Sequence, residues 1–507
     1  MKLRQNPCWC SHSGSASRRC ASSGWPGKSR PWAACDAGPP FPRKTRPVKL
    51  AIVGAGWAGM AAAVTAAQAG AQVTIFEASR NLGGRARALS LPTPGGTDIT
   101  VDNGQHILIG AYTETLRLMQ LVGVAPQTAL LRQPLAMVFP DGRGLQTPAW
   151  AAQWPAPLNA VAAIATAKGW HWRDKLALVR ASLGWQRAGF LCETTLTVAQ
   201  LCVALPPRVI DELIEPLCVS ALNTPGAEAS AAVFLRVMQD ALFGRGHPGF
   251  GASDLLMPRT DLSQLFPQAA TEWLASRHGD HVEIHLSTRV HGLRSTPSGW
   301  QLEGAGSTCF DQVIWATGAV PAAQAMANTA EQDGQPEQTR DSLLDWSRTA
   351  SALPHAAITT VYAHAPGARL QRPMMALRAQ PDAHAAPAQF VFDRGLLSPG
   401  DPTQHGMLAF VVSASEGDRA DLQRRVLQQA CDQLGLQTLR VLQTVVEKRA
   451  TFACTPGLRR PGMAIAPALW AAGDFVEGPY PATLEGAVRS GVAAAQAACQ
   501  GQTRHLG

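Results

Sequence analysis

The stretch VKLAIVGAGWAGMAAAVTAAQAGAQVTIFE, residues 48–77, decides the fold. An apolar run from Val48 to Val53 leads into Gly54-Ala55-Gly56-Trp57-Ala58-Gly59. A helix of small residues follows, Ala69-Gly70 stops it, and a second strand from Gln72 to Phe76 ends in Glu77. This is a complete strand–helix–strand dinucleotide-binding unit with its acidic terminus in place. Gly54 permits the tight turn, Gly56 lets backbone approach a pyrophosphate, and Gly59 lets helix and strand pack closely. The loop backbone from Ala55 through Trp57 and Ala58 opens the helix, whose unpaired N–H groups and positive dipole end face phosphate. Glu77 lies where a carboxylate accepts hydrogen bonds from an adenosine ribose. Its charge would repel a 2′-phosphate, which argues against NADP.

Two further motifs extend the unit. Leu82-Gly83-Gly84-Arg85 follows the second strand at once; Gly83 and Gly84 permit close backbone approach, and Arg85 can neutralise a diphosphate. Near the other end of the chain, Ala468-Leu-Trp-Ala-Ala leads into Gly473-Asp474, whose carboxylate can take a ribityl hydroxyl or orient a phosphate. A helix opening near Thr483-Leu484-Glu485 would aim its N-terminus at the N1–C2=O edge of an isoalloxazine and stabilise the anionic reduced ring. The pairing of the two ends points to FAD rather than NAD.

Motifs for one nucleotide site thus flank other material. The expected fold is α/β: a discontinuous Rossmann-like FAD-binding domain with an inserted substrate domain of helices packed on a mixed or antiparallel sheet. The expected segments are a basic tail (1–47), FAD-binding parts at 48–112, 261–324 and 451–507, a helical substrate or membrane-facing region at 113–260, and a substrate-domain sheet at 325–450. Residues 113–245 read as helical and 325–350 as polar and loop-like. Ala357–Tyr362, Gln389–Phe392 and Met407–Val412 alternate as antiparallel strands.

Of the 507 residues, 46% are hydrophobic and 16% charged, the balance of a globular protein of two or three domains. Nine of the 44 basic residues and one of the 36 acidic residues lie in 1–47, leaving 35 of each in the body. The basicity belongs to the tail, so the body offers no electrostatic case for nucleic acid. The tail lacks the apolar core of a secretory signal and reads as disordered, consistent with an over-extended translation start. Cys8-x-Cys10 within it lacks matching ligands, so no metal site is expected. The seven cysteines of the body (Cys192, Cys202, Cys218, Cys309, Cys431, Cys454, Cys499) read as reduced core residues of a cytoplasmic protein. No apolar run reaches the roughly 18 residues a bilayer span requires.

Taken together, GxGxxG, LGGRA, DNGQHILIGAY (102–112) and AGDFVEGPYPATLEGAVRSG (472–491) resemble the FAD-dependent amine oxidase and phytoene desaturase superfamily. Within it, Asp102–Tyr112 and Pro481–Gly491 are most similar to the hydroxysqualene dehydroxylase branch, with motif order matching over roughly 48–500. The Phe475–Tyr480 loop departs from the pattern in being bulkier and more acidic, which puts the local pocket shape in question. The resemblance implies that Gly54, Gly56, Glu77, Arg85, Gly473 and Asp474 bind FAD, that Leu484 backbone lies near the pyrimidine edge, and that Val290 pairs through its backbone with adenine. It also places Gly104, Gln105 and His106 against the flavin, the last two on its substrate side. The implied substrate is an apolar C30 isoprenoid alcohol, reduced by flavin that an unidentified external reductant recharges.

Removing a hydroxyl requires an acid, because hydroxide leaves poorly. His106, with an ordinary histidine pKa, is the candidate donor at neutral pH, Glu485 the second choice, and Gln105 a neighbour in the same site. The segment 148–190 carries Trp150, Trp154, Trp170, Trp172 and Trp185 among Lys and Arg. Two readings stand: these tryptophans line a core or cavity, or they meet the membrane interface, giving a cytoplasmic protein peripheral to the inner membrane face. The rival activities are a carotenoid-type desaturase and a flavin amine oxidase; a non-catalytic flavin or lipid carrier is a third reading. The amine oxidase is weakened because only three tyrosines exist (Tyr112, Tyr362, Tyr480), and only Tyr480 lies in a flavin motif.

Overall fold

Leu50, Ala51, Ile52 and Val53 are buried on both sides, which is why the opening run reads as unbroken apolar sequence rather than alternation. In the computed structural model, which describes residues 46–91, 98–154, 157–379 and 386–500, this run is an inner strand of a six-stranded sheet. The strand order is Val282–His285, Gln72–Phe76, Lys49–Val53, Gln312–Trp315, Leu469–Ala471 and Ala464–Ala466; all pairings are parallel except the last. Ile52 sits in register between Ile75 and Ile314, all fully buried. Each such side chain contributes about 2 kcal/mol. The expected segments 48–112, 261–324 and 451–507 each supply strands to this sheet. The tail up to residue 45, with Cys8 and Cys10, lies outside the described residues.

The helix Trp57–Gln68 is buried along most of its length, between the sheet and the helices Pro267–His278 and Leu484–Gln500. Only small residues allow this. A Cβ on Gly59 would lie 1.9 Å from the carbonyl oxygen of Gly54, and one on Gly491 would lie 2.1 Å from that of Ala58. Both contacts are backbone, which cannot step aside.

The second sheet is antiparallel, in the order Met374–Ala376, Phe390–Asp393, Met407–Ser413, His355–His364 and Arg440–Phe452. Its alternation divides two faces. Val361, Ala363, Leu408, Phe410 and Val412 pack under the helix Arg419–Leu434. Tyr362, Phe390, Phe392, Ala409 and Val411 turn the other way, toward Val101, Met137, Phe139 and Met257. The last strand, thirteen residues long, was not anticipated, because its polar positions (Arg440, Gln443, Glu447, Lys448, Arg449) blur the period of two.

Two expectations are corrected. Residues 325–350 are helical, in Ala319–Ala330 and Glu337–Ser351. Leu343, Trp346 and Ala350 form a buried stripe that the surrounding charges mask, and Ser347 Oγ donates to the carbonyl of Ala323. Residues 113–245 are not helical throughout. Ala136–Val138 and Gly144–Gln146 form a hairpin over Asp141-Gly142, and Leu130–Gln133 pairs with the distant Leu255–Pro258. Among the described residues, no helix is long and apolar enough to cross a membrane.

Candidate cofactor and active site

The glycine loop closes on the second motif. Gly83 N–H donates to the carbonyl of Ala55 at 2.9 Å, Trp57 Nε1 donates to Ala86, and Gly56 faces Gly84 across a gap that backbone alone could share. Gly54 has φ +106°, and a Cβ there would lie 2.7 Å from the carbonyl oxygen of Ala316. The helix that follows has no side-chain cap and no acid in its first turn, so its N–H groups remain available to an anion. Glu77 is tied down by two backbone donors: Ala55 N–H to Oε2 and Ser79 N–H to Oε1, each at 2.8 Å. Thr288 N–H donates to the Glu77 carbonyl and so draws the segment carrying Val290 alongside. Val290 falls between the strands ending at His285 and starting at Gly292, and its N–H and carbonyl take part in neither ladder. Arg85 reaches across the chain to Asp474, Nη2 to Oδ1 at 2.5 Å, while its Nη1 donates to the carbonyl of Ala450.

The other end of the cleft is built around Gly473–Ser490. A Cβ on Gly473 would lie 2.5 Å from the ring of Phe475, and Gly473 N–H donates to Ser490 Oγ. Phe475 is itself buried, edge-on to Trp346, so the bulk of this loop points into the core. Tyr480 and Ala482 both have φ +59°. Such strained conformations persist only where the surroundings impose them. Thr483 Oγ1 accepts from Gly486 N–H and donates to the Tyr480 carbonyl, capping the helix Leu484–Gln500. Tyr112 and Tyr480 meet edge to face at 6.1 Å, and the Arg489 guanidinium lies 5.1 Å over the Tyr480 ring.

Glu485 is not placed to serve as an acid. It is fully buried, and its two oxygens accept from Glu114 N–H, Thr115 N–H, Thr115 Oγ1 and Arg489 Nε. The carboxylate caps the helix Thr113–Leu121, and four donors occupy its two oxygens.

The Asp102–His106 segment runs beneath the antiparallel sheet. The Tyr362 hydroxyl donates to the Asp102 carbonyl at 2.9 Å. Gly104 has φ +106°, and a Cβ there would lie 3.8 Å from both His106 Cε1 and Thr360 Oγ1, an ordinary contact distance that places these two groups beside it. His106 Nδ1 donates to the Gly104 carbonyl at 2.8 Å, leaving Nε2 as the outward nitrogen. Burial pushes the imidazole below the usual histidine range, with Arg85 adding to the effect. This departs from the expectation of an ordinary histidine pKa.

Gln105 Oε1 accepts from Arg394 Nη1 at 3.2 Å, and Arg394 Nε donates to Gln404 Oε1 at 3.0 Å. Arg394 is almost wholly buried, and its Nη1 lies 3.8 Å from Oδ2 of the buried Asp102. Asp102 Oδ1 accepts from Leu262 N–H, and burial raises its carboxyl to about 7 against the opposing pull of Arg394. Gln105 Nε2, Thr360 Oγ1 and Asp102 Oδ2 are all buried with no hydrogen-bond partner. Unpaired groups of this kind cost about 1–3 kcal/mol each and mark a place where a ligand or water is received.

A profile of the flavin containing amine oxidoreductase family matches residues 57–499. The chain belongs to this family. It is 28% identical over 471 residues to a hydroxysqualene dehydroxylase of Rhodopseudomonas palustris, covering 88% of this chain and 96% of that one. It is 26% identical over 488 residues to the protein of that name from Sinorhizobium fredii, covering 89% and 98%. Among solved structures, cyclohexylamine oxidase of Brevibacterium oxydans shares the fold, with TM-score 0.58, 18% identity, and coverage of 90% of this chain and all of that one.

As in this flavoprotein family, the cofactor is FAD. The uncapped first helix, the opposed glycines, the Glu77 carboxylate and the free Val290 backbone fit its adenosine diphosphate half, and the first turn of the helix Leu484–Gln500, where the Thr483 cap takes up the Gly486 N–H, fits the flavin edge. Asp102, Thr360 and Arg394 were missed as site residues by sequence reasoning. The signal for Arg394 was present: an Asp-Arg pair directly after the apolar Phe390-Val391-Phe392, where a charge has to be buried or turned out.

Proposed function

We infer that this flavoprotein removes the hydroxyl group of hydroxysqualene to give squalene, in isoprenoid and hopanoid biosynthesis. The observation that carries the reading is similarity along nearly the whole folded body to two proteins of that name. When bound, the reduced flavin supplies a hydride to the allylic carbinol carbon, and the hydroxyl leaves with a proton as water, so substrate and two reducing equivalents balance squalene and water.

The chain's own groups hold the cofactor, exclude water and deliver that proton. Arg85 and Asp474 serve the diphosphate and ribityl chain; Glu77 serves the ribose. His106 is the proposed donor through Nε2, since Nδ1 is committed to Gly104. Its lowered pKa makes the imidazolium a stronger acid, populated mainly below neutral pH. Gln105, with Oε1 held by Arg394, keeps its amide N–H for an oxygen of the ligand.

The rivals fare less well. An amine would compete with Arg489 for the face of Tyr480. A hydrocarbon desaturase has no use for the unpaired donors at Gln105 and Thr360. The reductant that recharges the flavin is external, and the proposed location is the cytoplasm, at the inner face of the inner membrane. The test is anaerobic photoreduction of the purified flavoprotein followed by hydroxysqualene. Flavin reoxidation with one squalene formed per flavin supports the reading; reduced flavin that persists with unconsumed alcohol refutes it.

A further inference from the structure

The tryptophan-rich segment divides, and the division points outward. Trp170 and Trp185 are buried: Trp170 Nε1 donates to Glu212, and Trp185 stands edge-on to Phe234. Trp150, Trp154 and Trp172 are instead 61%, 45% and 67% exposed. Trp150 and Trp154 lie T-shaped against each other at 5.0 Å, just before the helix Leu158–Thr166, which itself exposes Leu158 and Val161. That helix packs against the next, Trp172–Arg187.

The second helix is apolar on two sides. Its inner stripe is Asp174, Leu178 and Trp185; Trp172, Leu176 and Leu183 form an exposed stripe with identical spacing, two residues out of phase. Two residues correspond to roughly 200° around a helix, so the stripes face opposite ways. Core packing explains one stripe only. A soluble monomer rarely leaves so many large apolar side chains together in water.

The exposed charges within this segment have one sign. Lys168, Arg173, Lys175, Arg180 and Arg187 lie within 148–191, and the single acid there, Asp174, is turned inward, where its carboxylate accepts from His171 N–H. The body as a whole carries equal numbers of acids and bases, so this is a local excess. The Arg173 guanidinium lies 5.5 Å over the ring of Trp172, which keeps the cation at the edge of the apolar surface. Tryptophan beside arginine and lysine on an unpartnered helix is the composition that lies in the headgroup layer of an anionic bilayer.

We propose that Trp150, Trp154, Leu158, Val161, Trp172, Leu176 and Leu183, ringed by Lys168, Arg173, Lys175, Arg180 and Arg187, form a docking face for an anionic lipid bilayer. Recruitment through this face would deliver a water-insoluble substrate, a purpose that rests on the dehydroxylase reading; the docking itself does not.

The experiment is flotation of the holoprotein with vesicles of phosphatidylcholine alone or mixed equally with phosphatidylglycerol, comparing wild type with a W150S/W154S/W172S variant and a K168Q/R173Q/R180Q/R187Q variant. Flavin content reports folding of each. Wild type is expected to float with the anionic vesicles. Each variant should bind them at least about tenfold more weakly, and the charge variant should lose its preference for anionic over neutral lipid. Activity on detergent-dispersed hydroxysqualene should be equal in all three. Wild type that stays in the dense fraction overturns the proposal, as does a tryptophan variant that floats unchanged. A wild-type dimer that the tryptophan substitutions split into monomers, with no flotation, assigns the face to a second copy and overturns it as well. Flotation without activity in detergent would instead count against the dehydroxylase reading alone.

Discussion

Asp102→Asn isolates the electrostatics of the buried cluster beneath the antiparallel sheet. In the wild type the carboxyl is removed from water, receives one hydrogen bond from Leu262 N–H at 2.8 Å, and has Arg394 only at 3.8 Å from its second oxygen. Burial outweighs both stabilising contacts and raises its pKa from 3.8 to about 7. The folded protein therefore holds a proton that the unfolded chain has already lost. This contribution to stability is fully present below pH 4, declines as pH rises from about 4 to 7, and is gone above 7. A shift of about 3 units at 1.36 kcal/mol each makes the change about 4 kcal/mol across that window. Asparagine keeps the acceptor for Leu262 and cannot titrate. The variant should thus gain about 4 kcal/mol relative to wild type between pH 4 and 7, then run parallel to it. The attraction of Arg394 for the ionised carboxyl is already contained in the folded pKa, and exchanging the neutral carboxyl for an amide adds only an offset without pH dependence. Urea unfolding of both flavin-loaded proteins at stepped pH, followed by flavin fluorescence, measures the difference. A constant difference across the window, or one in which the variant loses ground as pH rises, refutes the account of Asp102.

Arg85→Met should weaken FAD by roughly tenfold to a hundredfold, the worth of one charge-assisted contact, as read by titrating the apoprotein; equal affinity would remove Arg85 from the diphosphate. His106→Gln should flatten the pH dependence of single-turnover flavin reoxidation. In wild type, that rate should keep climbing as pH falls below 6.5, because the folded pKa lies beneath the usual value; an identical limb in both proteins assigns the proton to another group. Glu485→Gln should lower stability by about 1–3 kcal/mol through the loosened cap on the helix Thr113–Leu121, with the single-turnover rate changed less than about tenfold. A collapse of rate with unchanged stability would restore Glu485 as an acid.

Legibility followed the range over which each interaction acts. The glycine loop could be read because its demands are local: Gly54 and Gly59 answer to backbone atoms within a few residues, or to the adjacent strand that every unit of this kind has. Glu77 and Arg85 could be read from their distance to that loop. The helix Glu337–Ser351 was misread because its buried positions Leu343, Trp346, Ser347 and Ala350 are interspersed with charges whose solvent side is known only once Ala319–Ala330 lies against it. Glu485 was misassigned for a similar reason. A carboxylate at a helix start near a flavin edge resembles a catalytic group until Glu114 and Thr115, 371 and 370 residues away, are seen to occupy it.

By itself, the sequence determined the nucleotide unit, the family motif order and the chemical class of the cofactor. These rest on short-range steric and hydrogen-bonding rules that few residue types satisfy. Only the tertiary structure decided what surrounds the reactive end. Folding paired Arg394 with Gln105, left Asp102 Oδ2 and Thr360 Oγ1 buried without hydrogen-bond partners, drew His106 below its ordinary pKa, and turned three of five tryptophans to the outside. Burial and the sign of a local field depend on residues hundreds of positions apart, and no spacing along the chain records them.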